Sequence, residues 1–218
     1  MYDILPSPLL RTIRDRYIAG VADAEAEFDA SSADEDSLTG ALGQSISTKG
    51  IQYFGFEDRI YKWQISYKKI RGRGAGAPEK TLGADGVFQI EVWDSAGNSL
   101  RKKGLPFQCK KGWRGTDKKL SKQAADMLAA TGHGIVIDYT SSGYSSCNAR
   151  KVVEVAGSRR DLAKGDGMQP LGQLLGNDFL ECREGRVGLF YNPEAELFSF
   201  GDVDLHLIST EVAAYYWE

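Results

Sequence analysis

The chain has only three cysteines, Cys109, Cys147 and Cys182. They are scattered, odd in number and form no CxxC pair, which excludes a disulfide framework and gives no zinc-site spacing. No run of about 18 apolar residues exists, so no membrane-crossing helix is expected. The N-terminal stretch MYDILPSPLLRTIRDRY carries charges where a secretion signal needs an uninterrupted apolar region. These absences together point to a reducing, cytoplasmic setting. The Gly-rich stretch 71–78, RGRGAGAP, lacks a following Lys-Ser/Thr at P-loop spacing, and the next element reads as a strand. It is therefore not expected to cradle a nucleotide.

What is present is enough to build a core. The 218 residues are 42% hydrophobic, the expectation for one domain. Its parts read as an N-terminal helix (1–30), a core (31–140) and a C-terminal elaboration (141–218). The net charge of −3 hides an asymmetry. Between Arg59 and Lys122 there are 16 Lys and Arg against 5 Asp and Glu, whereas the remainder holds 11 against 25. So concentrated a basic block predicts an anionic substrate.

Apolar residues at helical spacing (Leu9, Leu10, Ile13, Tyr17, Ile18, Val21) predict an amphipathic helix over about 8–29. Ser32-Ala33-Asp34-Glu35 fits a capping box opening a second helix, whose inward face carries Glu35, Leu38 and Leu42. Tyr61, Trp63, Ile65 and Tyr67 alternate with Lys62, Gln64, Ser66 and Lys68, a half-buried strand with a basic outer face. The following basic loop offers Arg71 and Arg73 to a nucleic-acid backbone. A helix over about 117–130 carries Gln123 on the face of Leu120 and Met127, either as a satisfied core amide or aimed at a site. With strands 105–110 and 134–139 it makes a βαβ unit. Residues 140–146 read as a loop, 171–185 as a helix, and 187–191 and 203–208 as strands. Cys182 and His206 are expected as a buried thiol and a surface imidazole, without a nucleophilic pairing.

The informative stretch is 81–111. Phe88, Ile90 and Val92 alternate with Gln89, Glu91 and Trp93, then comes turn chemistry at 94–98, and then Leu105-Pro106-Phe107-Gln108-Cys109-Lys110. If this hairpin closes, Asp85 meets Gln108 and Lys110, an acid, an amide and an ammonium, beside Gly86, where another backbone can approach. The cations Lys110, Lys111, Arg114, Lys118 and Lys119 follow around Trp113, which either stacks on a base or packs at the surface.

Gly83-Ala84-Asp85, a hairpin and Gln108-x-Lys110 resemble the active site of the PD-(D/E)xK (restriction-endonuclease-like) nuclease superfamily, in its Gln-x-Lys variant. The order helix, strand, Asp hairpin, Gln-x-Lys strand, helix, strand over about 34–139 resembles the superfamily core. The resemblance implies an α/β restriction-endonuclease-like fold, with a central mixed sheet flanked by helices and an extra C-terminal helix and strands. It implies an Mg²⁺- or Mn²⁺-dependent nuclease acting on DNA, RNA being the alternative, as a homodimer or within a complex defending against foreign DNA. Asp85, Glu35 (Asp34 or Asp36 as substitutes), Gln108 and the Cys109 carbonyl would hold the metal. Lys110 would orient the attacking water or stabilise the phosphate, and Gln123 would approach from the following helix. Gln108 in place of an acid removes a negative charge that Glu35 would restore. The alternative is a catalytically inactive nuclease fold that binds nucleic acid or scaffolds a complex.

Overall fold

A computed structural model describes residues 1–70, 83–191 and 205–216. Helix α1 spans Ser7–Ala26, with Pro8 in its first turn, where the missing N–H has no intrahelical partner to lose. Its stripe of Leu9, Leu10, Ile13, Tyr17 and Val21 is buried, as the spacing predicts. A short α2 (Phe28–Ser31) precedes α3 (Glu35–Ile46). The expected capping box does not form. The Asp34 carboxylate accepts the Ser37 N–H at 2.7 Å, so Asp34 is the cap and Glu35 the first helical residue.

Next come an unforeseen β1 (Gln52–Phe56), β2 (Arg59–Ile70), β3 (Gly86–Trp93) and β4 (Ser99–Lys111). The β3–β4 turn closes where Asp94 Oδ1 accepts the N–H groups of Ala96 and Asn98, at 2.9 and 2.8 Å. Helix α4 (Lys118–Thr131) is capped by Asp117 and ends at Gly132 in the left-handed region. Then follow β5 (Ile135–Thr140), β6 (Gly143–Asn148), α5 (Ala149–Glu154), α6 (Arg159–Lys164) and β7 (Gln169–Pro170). Helix α7 (Leu171–Gln173) runs into a π-helical segment, Leu174–Phe179, before β8 (Arg186–Val187) and β9 (Leu205–Tyr216).

Three expectations need correction. Residues 143–148 form a strand, because Tyr144 and Cys147 are buried against the sheet and compensate for the serines between them. Of 187–191, only Val187 is paired, through the two-residue bridge of β8 to β4. The helix of 171–185 stops at Phe179.

Among the described residues, nine strands form one mixed sheet in the order β1-β2-β9-β3-β4-β5-β6-β7, with β8 paired to β4. The β4–β5 and β3–β9 pairs are parallel. The chain is thus α/β, with helices on both sheet faces. Side chains of α1, α3 and α7 pack with Phe88, Ile90, Phe107 and Ile137, while those of α4, α5 and α6 pack with Val136.

Strand β9 lies in the sheet interior, antiparallel to β2 and parallel to β3, rather than in an appended elaboration. Gly86 makes this possible. A Cβ there would lie 2.5 Å from the His206 carbonyl oxygen and 2.3 Å from the Phe107 ring. The backbone that approaches Gly86 is therefore that of β9. A buried hydrogen bond between the Tyr17 hydroxyl and Thr210 Oγ1 (2.7 Å) ties β9 to α1.

Candidate functional site

Asp85 sits just before β3 and is stitched to both neighbouring strands. Its N–H donates to the Phe107 carbonyl at 2.8 Å, and its carbonyl accepts the His206 N–H at 2.9 Å. Its Oδ2 accepts three hydrogen bonds, from Gln108 Nε2 (2.5 Å), Cys109 N (2.8 Å) and Cys109 Sγ (2.9 Å). Burial pushes the Cys109 thiol well above its ordinary value, and the adjacent Asp85 carboxylate adds to the rise. The thiol therefore keeps its proton and donates. Thr39 lies beneath, with Oγ1 at 3.4 Å from Cys109 Sγ and 3.2 Å from the Tyr139 hydroxyl. The expected meeting of Asp85 with Gln108 is present, and the Cys109 thiol is a partner that the alternation of β4 did not suggest.

Lys110 projects between two helix starts. Its Nζ is 3.5 Å from Glu35 Oε1 at the beginning of α3 and 3.6 Å from Asp117 Oδ2 at the cap of α4. Burial works against the ammonium, but Glu35 and Asp117 outweigh it and hold Lys110 above the ordinary lysine value. Glu35 Oε1 also accepts the Lys111 N–H at 3.1 Å. Glu35 is thus turned toward Lys110 and Lys111.

These groups line a cleft of about 810 Å³, with Asp36, Lys69, Lys119, Lys122, Gln123, Asp126 and His206 on its walls. Of the two placements open to Gln123, the structure shows the one on the cleft wall. Gly83, at φ +65°, lets α4 come close, since a Cβ there would lie 2.2 Å from the Gln123 carbonyl oxygen. Three of the four described lysines of the cleft, Lys69, Lys110 and Lys122, are ion-paired. Lys69 pairs with Asp36, and Lys122 with Asp126 at 2.6 Å. Arg101, Lys102 and Lys103 are used elsewhere, on Asp3, Glu91 and the Phe179 carbonyl.

Lys111, Trp113 and Arg114 do not line the cleft. Trp113 is 4% exposed and packed in the core beside α4 and α5, so its ring is not offered for stacking. Lys111 Nζ bonds the Ser32 carbonyl, and Arg114 is exposed. Arg71 and Arg73 lie outside the described residues.

Sequence patterns gave no sign of the cluster around His206. The surface imidazole expected at 206 is instead buried: His206 is 4% exposed, with Nδ1 2.8 Å from the Tyr67 hydroxyl and Nε2 2.8 Å from Asp36 Oδ1. Burial opposes the charge on Asp36, but bonds from Lys69 and His206 prevail and hold its carboxyl below the ordinary range. Burial, aided by Asp36, pushes the Tyr67 hydroxyl up.

Among the described residues, no group of three or more His, Cys, Asp and Glu gathers into a cage. Gln108 Oε1, however, is buried without a hydrogen-bond partner, a condition that costs about 1–3 kcal/mol. It belongs to the same amide whose nitrogen holds Asp85. A carboxylate and a spare amide oxygen are hard donors, and Mg²⁺ accepts one or two carboxylates while keeping several waters. The residues fit such an ion with few protein ligands.

The fold and cleft define an α/β protein with a polar site at the C-terminal end of parallel strand β4, where α/β sheets commonly bind ligands. Compared with protein-family models, curated proteins and solved structures, the chain finds no match.

Proposed function

We propose that the chain is a metal-dependent phosphodiesterase, an endonuclease hydrolysing DNA, with RNA as the alternative polymer. The observation that carries this reading is the convergence of Asp85, Gln108 and Lys110 on one cleft between the N-termini of α3 and α4. Asp85 and Gln108 Oε1, with the Cys109 carbonyl, would hold Mg²⁺ or Mn²⁺. When bound, such an ion supplies an activated water and neutralises charge developing on the phosphate. Lys110, held charged between Glu35 and Asp117, is placed to stabilise the anionic phosphate. Cys109 and Gln108 fix the Asp85 carboxylate from below, so that it need not reorganise during the reaction. Lys119 lines the cleft without an ion pair among the described residues and is available to a substrate phosphate. A cytoplasmic role in defence against foreign DNA, with two chains cutting two strands, belongs to this reading.

A second reading, an inactive nuclease fold that binds nucleic acid or scaffolds a complex, is favoured by one observation. Glu35, expected to restore the charge lost at Gln108, is spent on Lys110. Incubation with plasmid, linear duplex and single strands, with and without Mg²⁺ or Mn²⁺, decides between them. The enzyme reading expects metal-dependent cleavage that Asp85→Ala and Lys110→Ala abolish while salt-sensitive binding persists. Equal cleavage by wild type and both variants refutes it, and binding without cleavage by the wild type supports the second reading.

A further inference from the structure

Among the described residues the sheet ends in β7 on one side and β1 on the other, and the two edges differ. Strand β7 is two residues long and carries Pro170, which has no N–H to offer a further strand. Strand β1, Gln-Tyr-Phe-Gly-Phe, is five residues without a charge or a proline. An edge of that kind invites another strand. It is also apolar on the outside: Tyr53 is 66% exposed and the preceding Ile51 54%.

The hairpin decides which backbone groups β1 leaves open. Glu57 and Asp58 form a two-residue turn between the paired residues Phe56 and Arg59. In such a hairpin the closing pair exchanges both hydrogen bonds, and bonded and unbonded pairs then alternate. Phe54–Tyr61 and Gln52–Trp63 are therefore bonded pairs, which turns the N–H and C=O of Tyr53 and Gly55 away from β2. Ile65, two residues past Trp63, agrees with this phase. On the β1 side its C=O accepts the Thr48 N–H at 2.9 Å, and its N–H donates to Thr48 Oγ1 at 3.2 Å.

We propose that β1 is the contact between two copies of this chain, paired antiparallel about a two-fold axis at Tyr53, so that two sheets run on as one. The same patch then serves on both copies. With Tyr53 opposite its own copy, Ile51 meets Gly55, and each of these pairs exchanges both main-chain hydrogen bonds. The same register sets Lys49 opposite Glu57 on both sides of the axis, a cation against a carboxylate, all of them exposed. A register centred on Phe54 would instead set Lys49 against Arg59, two cations, so charge selects Tyr53. The two Tyr53 rings meet on the open sheet face, where Lys62 Nζ lies 6.0 Å from the ring of its own chain. The segment from Lys49 to Glu57 is shorter than the roughly 20–30 residues a side of a standard interface, so the dimer should be weak, with a dissociation constant on the order of 10–100 µM. The proposal is independent of the reading of the cleft.

Sedimentation equilibrium of the full chain from about 1 to about 300 µM brackets that constant, and amide hydrogen exchange at both ends of the range completes the test. Wild type should pass from monomer to dimer, and the Tyr53 and Gly55 amides should exchange more slowly at the high end. Tyr53→Lys sets two ammonium groups together at the axis and should leave the chain monomeric throughout; the side chain is exposed, so the fold loses little. Lys49→Glu should weaken the dimer about 5-fold or more, because both facing ion pairs are lost. Adding Glu57→Lys to it reverses both charges and should restore the dimer. Where Tyr53→Lys does not fold, the charge reversal carries the test. A wild type that stays monomeric at the highest concentration overturns the proposal, as does a dimer that neither folded Tyr53→Lys nor Lys49→Glu weakens. Tyr53 and Gly55 amides protected equally at both concentrations mean that the chain covers this edge itself, and overturn it as well.

Discussion

Replacing Gln108 by glutamate changes one NH₂ into an oxygen and leaves the shape of the side chain nearly intact. In the structure that NH₂ donates to Asp85 Oδ2 at 2.5 Å, and Gln108 is 4% exposed. The variant loses a hydrogen bond to a charged acceptor, about 1.5–3 kcal/mol, and sets two carboxyl groups against each other away from water. One of them must then hold a proton, so the folded-state pKa of the new carboxyl is raised above its unfolded value of about 4.3. A raised folded pKa means that stability is retained below the unfolded pKa and lost as pH rises through the folded one. At pH 7 without metal the expected loss is about 2–4 kcal/mol. With a urea slope of about 2–3 kcal/mol per molar, the unfolding midpoint falls by about 1 M or more. Mg²⁺ at a hundred times its dissociation constant should return about 2.7 kcal/mol, since it binds only the folded site. Adding Asp85→Asn should also relieve the clash, because an amide at 85 can donate to the carboxylate at 108. Urea titrations of wild type, both single variants and the double variant at pH 5 and 7, in EDTA and in Mg²⁺, supply the cycle. An unchanged midpoint at pH 7 in EDTA, or a loss that Asp85→Asn leaves untouched, would refute the pairing of 85 with 108.

Gly86→Ala should cost about 1–3 kcal/mol by denaturant unfolding, because its Cβ would lie 2.5 Å from a carbonyl oxygen held in the β3–β9 ladder. Lys103 is fully buried, and burial pulls its ammonium down to about 8. The unfolded chain therefore keeps a proton that the folded chain releases, and this group makes stability rise with pH from about 8 toward the ordinary lysine value of about 10.4. Lys103→Met should flatten that rise in unfolding curves taken at pH 8, 9 and 10. Trp113→Phe should leave nucleic-acid affinity unchanged while lowering stability by about 1 kcal/mol, since the indole is packed inside. A gel-shift titration that shows weaker binding by this folded variant would restore the ring to the binding surface.

Much of the architecture was written in local patterns. The stripe Leu9–Val21 gave α1, the alternation of 61–67 and 88–93 gave β2 and β3, and the turn residues at 94–98 joined β3 to β4. Asp85, Gln108 and Gln123 were legible because a hairpin and a βαβ unit are short-range objects, and their register follows from pleat and turn. Capping was less legible. Asp34 and Ser32 both have cap chemistry, and only the path of the chain into α3 chose between them, turning Glu35 toward Lys110. The burial of Trp113 was equally hidden, because cations flank it in sequence while α4 and α5 cover it in space.

The sequence by itself pointed to a basic, hairpin-centred segment that would bring an acid, an amide and an ammonium to one end of the β3–β4 pair. Only the tertiary structure decided what surrounds them. The strand ending the described chain could have lain at either sheet edge by its own alternation, since a two-residue period specifies faces and not neighbours. Its insertion between β2 and β3 depends on a glycine at 86 that lets two backbones meet, and on the long-range pairing of Leu205–Tyr216. That pairing set His206 beside Asp85 and Asp36, a neighbourhood that no spacing along the chain records.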